Sequence, residues 1–326
     1  MEKISSLFSK GSEKRLYFAT DIHGSETCWR KFLNSGKHYE ADVMVLGGDM
    51  TGKALIPIVQ QGSGRWQATL QENRREFETE EELKEFEDAV RRRGYYPFRT
   101  DPDEMSDLEK DEKLRDELFH TEMLGTVERW MHMADEKLEG TGIQCFVSPG
   151  NDDQFEVDEI ISQAKRVKLA EGEVVEFGDF QMVSTGWANR TPWDTYREED
   201  EEDLGARLKK MTDQVTAPPE KTVYNFHCPP YGTGLDDAPE LTEDMRPKHG
   251  GRSTVPVGSK AVRDAIKDGQ PALALHGHIH EARGNARIGK TLCINPGSSY
   301  EQGQLLGAVV NLDGKSKVKR FVLTSG

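Results

Sequence analysis

Leu16-Tyr17-Phe18-Ala19-Thr20-Asp21-Ile22-His23 joins a short apolar run to an aspartate and a histidine one residue apart. Such a run, without polar alternation, reads as a central strand buried on both faces. The same arrangement recurs down the chain. Val43-Met44-Val45-Leu46 leads into Gly47-Gly48-Asp49, and Cys145-Phe146-Val147 leads into Gly150-Asn151-Asp152-Asp153. Val223-Tyr224-Asn225-Phe226 precedes His227-Cys228-Pro229-Pro230, and Ala272-Leu273-Ala274-Leu275 precedes His276-Gly277-His278-Ile279-His280. Each polar cluster therefore follows the carboxyl end of a predicted strand, where open α/β sheets gather their ligands. Together the clusters supply oxygen and nitrogen donors for two metal ions. Any one of them is a common turn, but five in order are hard to reach by chance.

The remainder of the chain limits what such a site can serve. With 326 residues it can bury a large core without disulfides or structural metals. A net charge of −15 argues against a nucleic-acid partner, because binding a phosphate backbone needs a basic face. Arg91-Arg92-Arg93 before Gly94-Tyr95-Tyr96 is the one dense basic run, and it reads as the last turn of a helix followed by its glycine stop. Cys28, Cys145, Cys228 and Cys293 are widely spaced, which fits a reducing compartment and no thiolate site. Met1 to Lys14 carries no signal-peptide core, and no stretch approaches the ~18 apolar residues of a membrane span. The expected location is cytoplasmic, with no membrane partner.

The segment from about 52 to 142 is longer than a crossover between two strands requires and reads as an insertion into a single domain covering 1–326. Lys53 to Gln60 and Arg65 to Gln71, joined around Gly62-Ser63-Gly64, predict a hairpin. Thr79 with Glu82 forms a capping box ahead of the stripe Leu83, Phe86 and Val90, and Ser106 with Glu109 suggests a second box. Leu124, Val127, Met131, Ala134 and Leu138 then follow helical spacing. That stripe is expected to pack on the main domain, with a contact between two copies or a substrate lid as the alternatives. Glu198 to Asp203 reads as a solvated helix start or loop. Beyond His280, strands over Arg287–Asn295, Leu305–Asn311 and Lys317–Leu323 are expected to pair as neighbours.

The five clusters resemble the pattern D-x-H, G-D, G-N-(H/E), H and G-H-x-H of the calcineurin-like metallophosphoesterases. The likeness spans Asp21 to His280 and is altered at Asp152, where most of that family has histidine. It implies an α/β fold of two packed mixed β-sheets flanked by helices, the metallo-dependent phosphatase fold, here with a helical insertion. It also implies a ligand set: Asp21, His23, Asp49 and His280 for one ion, and Asp49, Asn151, His227 and His278 for the other. Asp49 is expected to bridge, because a carboxylate has two oxygens. The donors suit manganese first, with iron or zinc as alternatives.

Two divalent ions carry four positive charges against the carboxylates of Asp21 and Asp49, a surplus suited to a small phosphoester substrate. The expected reaction is in-line attack on phosphorus by a hydroxide bridging the ions. Asp152 starts from a pKa near 3.9, a poor proton donor at neutral pH, and this favours phosphodiesters over monoesters. His276 is the other candidate catalytic group, with a structural role as its alternative. Gly186-Trp187-Ala188-Asn189-Arg190-Thr191-Pro192-Trp193 is either a packed loop or a grip on an aromatic or phosphorylated ligand. Asn295-Pro296-Gly297-Ser298 is expected to shape the site. The rival reading of the whole chain is a non-catalytic metal-binding scaffold of the same fold.

Overall fold

Strands that are apolar on both faces need cover on both faces, and in this chain two sheets cover each other while helices cover their outer sides. A computed structural model describes residues 13–62, 64–313 and 317–326; residues 1–12, most of the Met1 to Lys14 stretch, lie outside it. Lys14–Ala19 (β1), Glu26–His38 (α1) and Val43–Leu46 (β2) come first. Leu55–Gln60 (β3), Trp66–Leu70 (β4), Asn73–Phe77 (β5), Glu80–Arg92 (α2), Tyr96–Thr100 (β6), Pro102–Lys110 (α3) and Glu112–Leu138 (α4) make up the long intervening segment. Gln144–Val147 (β7), Glu156–Ser162 (α5) and Val167–Leu169 (β8) return to the first sheet. Val174–Phe177 (β9), Phe180–Thr185 (β10), Ala188–Asn189 (β11), Glu198–Glu199 (β12), Glu201–Thr212 (α6) and Thr222–Phe226 (β13) begin the second half. It continues with Asp237–Pro239 (β14), Thr254–Pro256 (β15), Lys260–Gly269 (α7), Leu273–Leu275 (β16), Gly284–Ile288 (β17) and Thr291–Asn295 (β18). Leu306–Asp313 (β19) and Lys317–Ser325 (β20) close the chain's path.

The first sheet has the order β20-β19-β1-β2-β7-β8 and the second β17-β18-β16-β13-β10-β9. Both are mixed: β1, β2, β7 and β8 run parallel, as do β10, β13, β16 and β18. The two-residue period of a strand sorts the side chains. Leu16, Phe18, Val43 and Val45 meet Met182, Val223, Leu275 and Ile294 between the sheets. Tyr17, Ala19, Met44 and Leu46 face outward onto Trp29 and Phe32 of α1 and Trp130 of α4. On the far side, Val183, Tyr224, Phe226 and Ala274 pack on Leu204 and Leu208 of α6 and Val262 and Ile266 of α7.

The segment after β2 forms the expected hairpin of β3 and β4, extended by β5 and joined by β6 into a four-stranded sheet. Leu83, Phe86 and Val90 of α2 pack on it through Ile58 and Phe77, and both hydrogen bonds of the Thr79–Glu82 capping box are present. Arg93 and Gly94, with Gly94 at φ 86°, terminate α2 as helix-end chemistry predicts. The second box is not where Ser106 placed it. Pro102, preceded by the capping Asp101, starts a helix upstream and encloses Ser106, so the long helix begins after Asp111, whose carboxylate accepts from the Leu114 amide. Val127, Met131, Ala134 and Leu138 of α4 enter the main core, and the Trp130 ring stacks on Trp29 with centroids 5.2 Å apart.

Residues Arg287–Asn295 form a hairpin rather than one strand, because Gly289 at φ 60° turns the chain and the Lys290 amide donates to the Gln270 side chain. The acidic run starts α6, but Glu198 is buried rather than solvated. All four cysteines are free and buried, and among the described residues no helix is long and apolar enough to cross a membrane.

Candidate metal centre

Loops leaving β1, β2 and β7 in one sheet and β13 and β16 in the other come together at one edge. The ligand atoms of Asp21, His23 and His280 lie within 4.8 Å of one another, as do those of Asp49, His227 and His278. Asn151 lines the same cleft as His23, Asp49 and His278. The backbone is bent to bring them there: Asp21, His23, Asp49 and His278 all have positive φ, between 37° and 67°. Left-handed backbone at residues other than glycine costs of order 1–3 kcal/mol each and persists where surrounding contacts hold it. Those contacts are visible. The Asp21 and His23 amides donate to the Gly48 and Asp49 carbonyls, and the His278 amide donates to the Asp21 carboxylate at 2.9 Å. A side chain at Gly48 or Gly150 would collide with the His227 ring or the Asp49 carboxylate, so the tight approach needs glycine there.

Asp49 joins the two groups through one oxygen. Its Oδ2 is 3.6 Å from His23 Nε2 and 3.3 Å from His227 Nε2, while Oδ1 accepts the Asp152 amide at 3.0 Å. His23 Nε2 and His280 Nε2 face each other at 3.0 Å. His227 Nδ1 donates to the Gly47 carbonyl, which turns Nε2 inward.

The electrostatics call for a cation. Burial pushes the Asp21 and Asp49 carboxyls up, yet His227 beside them brings Asp21 down to about 2 and Asp49 well below its ordinary value. Burial pushes His227 down, and the same two carboxylates carry it up to about 10. Burial lowers His23 to about 3 and His278 to about 4, which keeps both imidazoles neutral, the form that ligates. Asn151 Oδ1 is buried and has no hydrogen-bond partner, because its Nδ2 is committed to Thr195 Oγ1 at 2.7 Å. Hard oxygens, neutral imidazoles and an orphaned amide oxygen fit divalent ions of borderline character.

Around these groups stand residues that hold them in place. Thr195 donates its own hydroxyl hydrogen to Glu198, so the Asn151 amide is fixed through two hydrogen bonds. The buried Asp153 carboxylate accepts from the Met50, Thr51 and Gly150 amides and from the Thr51 hydroxyl, tying the Asp49 loop to the Asn151 loop. Ser298 donates to the Asp21 carbonyl and Asn295 donates to Gly277 and Ile279, so the 295–298 turn does shape the His278 loop. The Tyr300 ring lies 4.8 Å from His23.

Asp152 lines the cleft beside His23 and Asp49, and Lys53 Nζ lies 2.7 Å from its Oδ2. Burial and then Asp49 raise its pKa, against the pull of Lys53. His276 is fully buried with Nδ1 held by the Phe226 and Cys228 carbonyls, and burial lowers it to about 4. It does not line the cleft that His278 and His280 share. Cys228 is buried, with its thiol donating to Asn189. The tryptophan loop divides: Trp187 lies under the Arg207 guanidinium, 3.9 Å from its centroid, whereas Trp193 is 66% exposed on the cleft.

No family model matches the chain. Over 152 residues it is 30% identical to the uncharacterized protein MJ1162 of Methanocaldococcus jannaschii, a match covering 45% of this chain and 61% of that one. The chain thus spans less than two thirds of that relative. In three dimensions it is similar to a crystal structure at a TM-score of 0.57 and 16% identity, over 96% of this chain and 99% of the other. It is similar to the protein TT1561 of Thermus thermophilus at a TM-score of 0.51 and 12% identity, over 97% and 99%. With two packed mixed sheets and its ligand clusters gathered where their strands end, the chain shares the fold of these two structures.

Proposed function

We propose that this chain is a phosphoesterase that works with two divalent metal ions and favours phosphodiesters over phosphomonoesters. The observation that carries this reading is Asp49 Oδ2, set between His23 on one side and His227 on the other, so that two ligand groups share one carboxylate. Asp21, His23, Asp49 and His280 would hold one ion, and Asp49, Asn151, His227 and His278 the other. Manganese is the first expectation, with iron and zinc as alternatives. Bound ions of this kind neutralise phosphoryl oxygens and make water nucleophilic near neutral pH.

The chain's own groups set the geometry and the charge preference. The Gly47 carbonyl aims His227, the Thr195–Glu198 pair aims Asn151, and Asp153 holds two ligand loops in register. Asp152, outside the proposed ligand sets, presents its carboxylate to the cleft, where it repels the second negative charge of a monoester dianion more than a diester monoanion. Lys53 moderates that field without removing it.

Steady-state hydrolysis of a chromogenic diester and the matching monoester, on manganese-loaded protein of measured metal content, tests the reading. Metal-dependent turnover with the diester preferred is the expected result. Full metal loading with no turnover of either ester would instead favour the non-catalytic scaffold.

A further inference from the structure

The cleft over the candidate ligands, about 1340 Å³, exceeds the ~300–1,000 Å³ of ordinary ligand pockets and is lined by two chemically different sets of residues. His23, Asp49, Asn151 and His278 form the polar floor. Pro192, Trp193, Pro239, Pro247, Pro256 and Val257 form a wall. Four of these six are prolines, which offer a ligand no backbone N–H, so contacts there are apolar in kind.

Trp193, Tyr196 and Val257 are 66%, 48% and 36% exposed, and all three line this one cleft. None belongs to a hydrophobic core cluster of the described residues. Large apolar side chains left in water and gathered in one concavity mark a binding surface, whereas scattered ones do not. The wall is also held in place. Thr191 donates to Glu198 through its amide and hydroxyl, and the Trp193 amide donates to Thr191 Oγ1. The same Glu198 carboxylate fixes Thr195 and, through it, Asn151. One buried acid therefore sets both the apolar wall and a ligand on the floor.

We infer that this wall binds the non-reacting organic group of the substrate, and that this group is apolar and at least as large as a phenyl ring. The inference rests on the phosphoesterase reading, since that reading seats the phosphoryl group on the floor. The shared chemistry is an apolar substituent on phosphorus, whether a planar aromatic ring laid on Trp193 or an acyl-like chain laid along the prolines.

Three diesters of 4-nitrophenol, with methyl, phenyl or octyl as the second ester group, keep the leaving group constant and vary only the spectator. On manganese-loaded protein, kcat/KM should rise at least about tenfold from methyl to the better of the other two, mainly through KM. A lead for phenyl identifies the aromatic source, and a lead for octyl the chain. Trp193→Ala should bring the three diesters within about threefold of one another, and Val322→Ala, an exposed apolar residue outside the cleft, should leave the wild-type ratio unmoved. Calorimetric titration with methylphosphonate, phenylphosphonate and octylphosphonate separates the two readings. Tighter binding of either larger phosphonate, with no ester turned over, would sink the phosphoesterase reading and keep the wall. Equal turnover of the three diesters with equal phosphonate binding would overturn the wall's role.

Discussion

Lys53 Nζ stands 2.7 Å from Asp152 Oδ2, so the carboxylate next to Asn151 has a cation of its own, delivered from the start of the segment that follows the Asp49 loop. Removing either partner changes the charge of the cleft in opposite directions. Lys53→Met leaves the field more negative and should lower kcat/KM for a phosphomonoester on the order of tenfold more than for the matching diester. Asp152→Asn should move the same ratio the other way, and Lys53→Arg should restore most of it. Paired kinetics on both esters check this, and a ratio indifferent to both changes would remove the pair from substrate selection.

In the proposed reading Asp49 is the one ligand common to both ions. Asp49→Asn should release metal and abolish turnover together. In the wild type, manganese at about 100 times its dissociation constant should stabilise the fold by about 2.7 kcal/mol per site, and in Asp49→Asn most of that gain should be missing. Thermal melts with and without manganese, alongside elemental analysis after dialysis, measure both effects.

Asp153 is fully buried and outside the cleft lining, yet it accepts four hydrogen bonds from two loops. Asp153→Ala strands buried amides whose desolvation costs about 1–3 kcal/mol each. The expected loss is roughly 3–5 kcal/mol in urea unfolding, with manganese affinity falling at least about tenfold. Unchanged affinity in a destabilised variant would show that the two loops keep their register without this carboxylate.

Trp130 on α4 is fully buried against Trp29 of α1, and Phe86 on α2 is equally buried in the smaller four-stranded unit. Trp130→Ala should cost about 3–5 kcal/mol of global stability. Phe86→Ala should act on the small unit, shifting proteolytic susceptibility toward β4 and β5 while manganese binding persists. Limited proteolysis and metal titration on the two variants distinguish these outcomes.

The fold was legible because its evidence is local: an apolar run with no alternation, then donors within a few residues, repeated five times. What was not legible depends on contacts between distant residues. Nothing near Lys53 announces Asp152, and Thr195 and Glu198 sit in a loop and an acidic run with no motif, although together they orient Asn151. Charge alone makes the acidic run read as solvated, whereas Glu198 is buried and accepts hydrogen bonds from Thr191 and Thr195. Residues 287–295 read as one strand, whereas Gly289, at a φ of 60°, turns the chain into a hairpin. The Asp152 amide that donates to Asp49 Oδ1 is likewise a contact no spacing rule reports.

The Asp21 carboxylate receives the amide of His278, a partner 257 residues along the chain, and β1 itself is completed on its second side by β19. A growing polypeptide that has already made Asp21, Asp49 and Asn151 therefore holds half a binding pocket and an unfinished sheet. Closing it requires pairings more than 250 residues apart in the chain, the kind of non-local contact that slows folding. On the proposed two-ion reading, tight capture is thus reserved for chains that have reached their final topology, and half-made ones offer stray cations only scattered, weak donors.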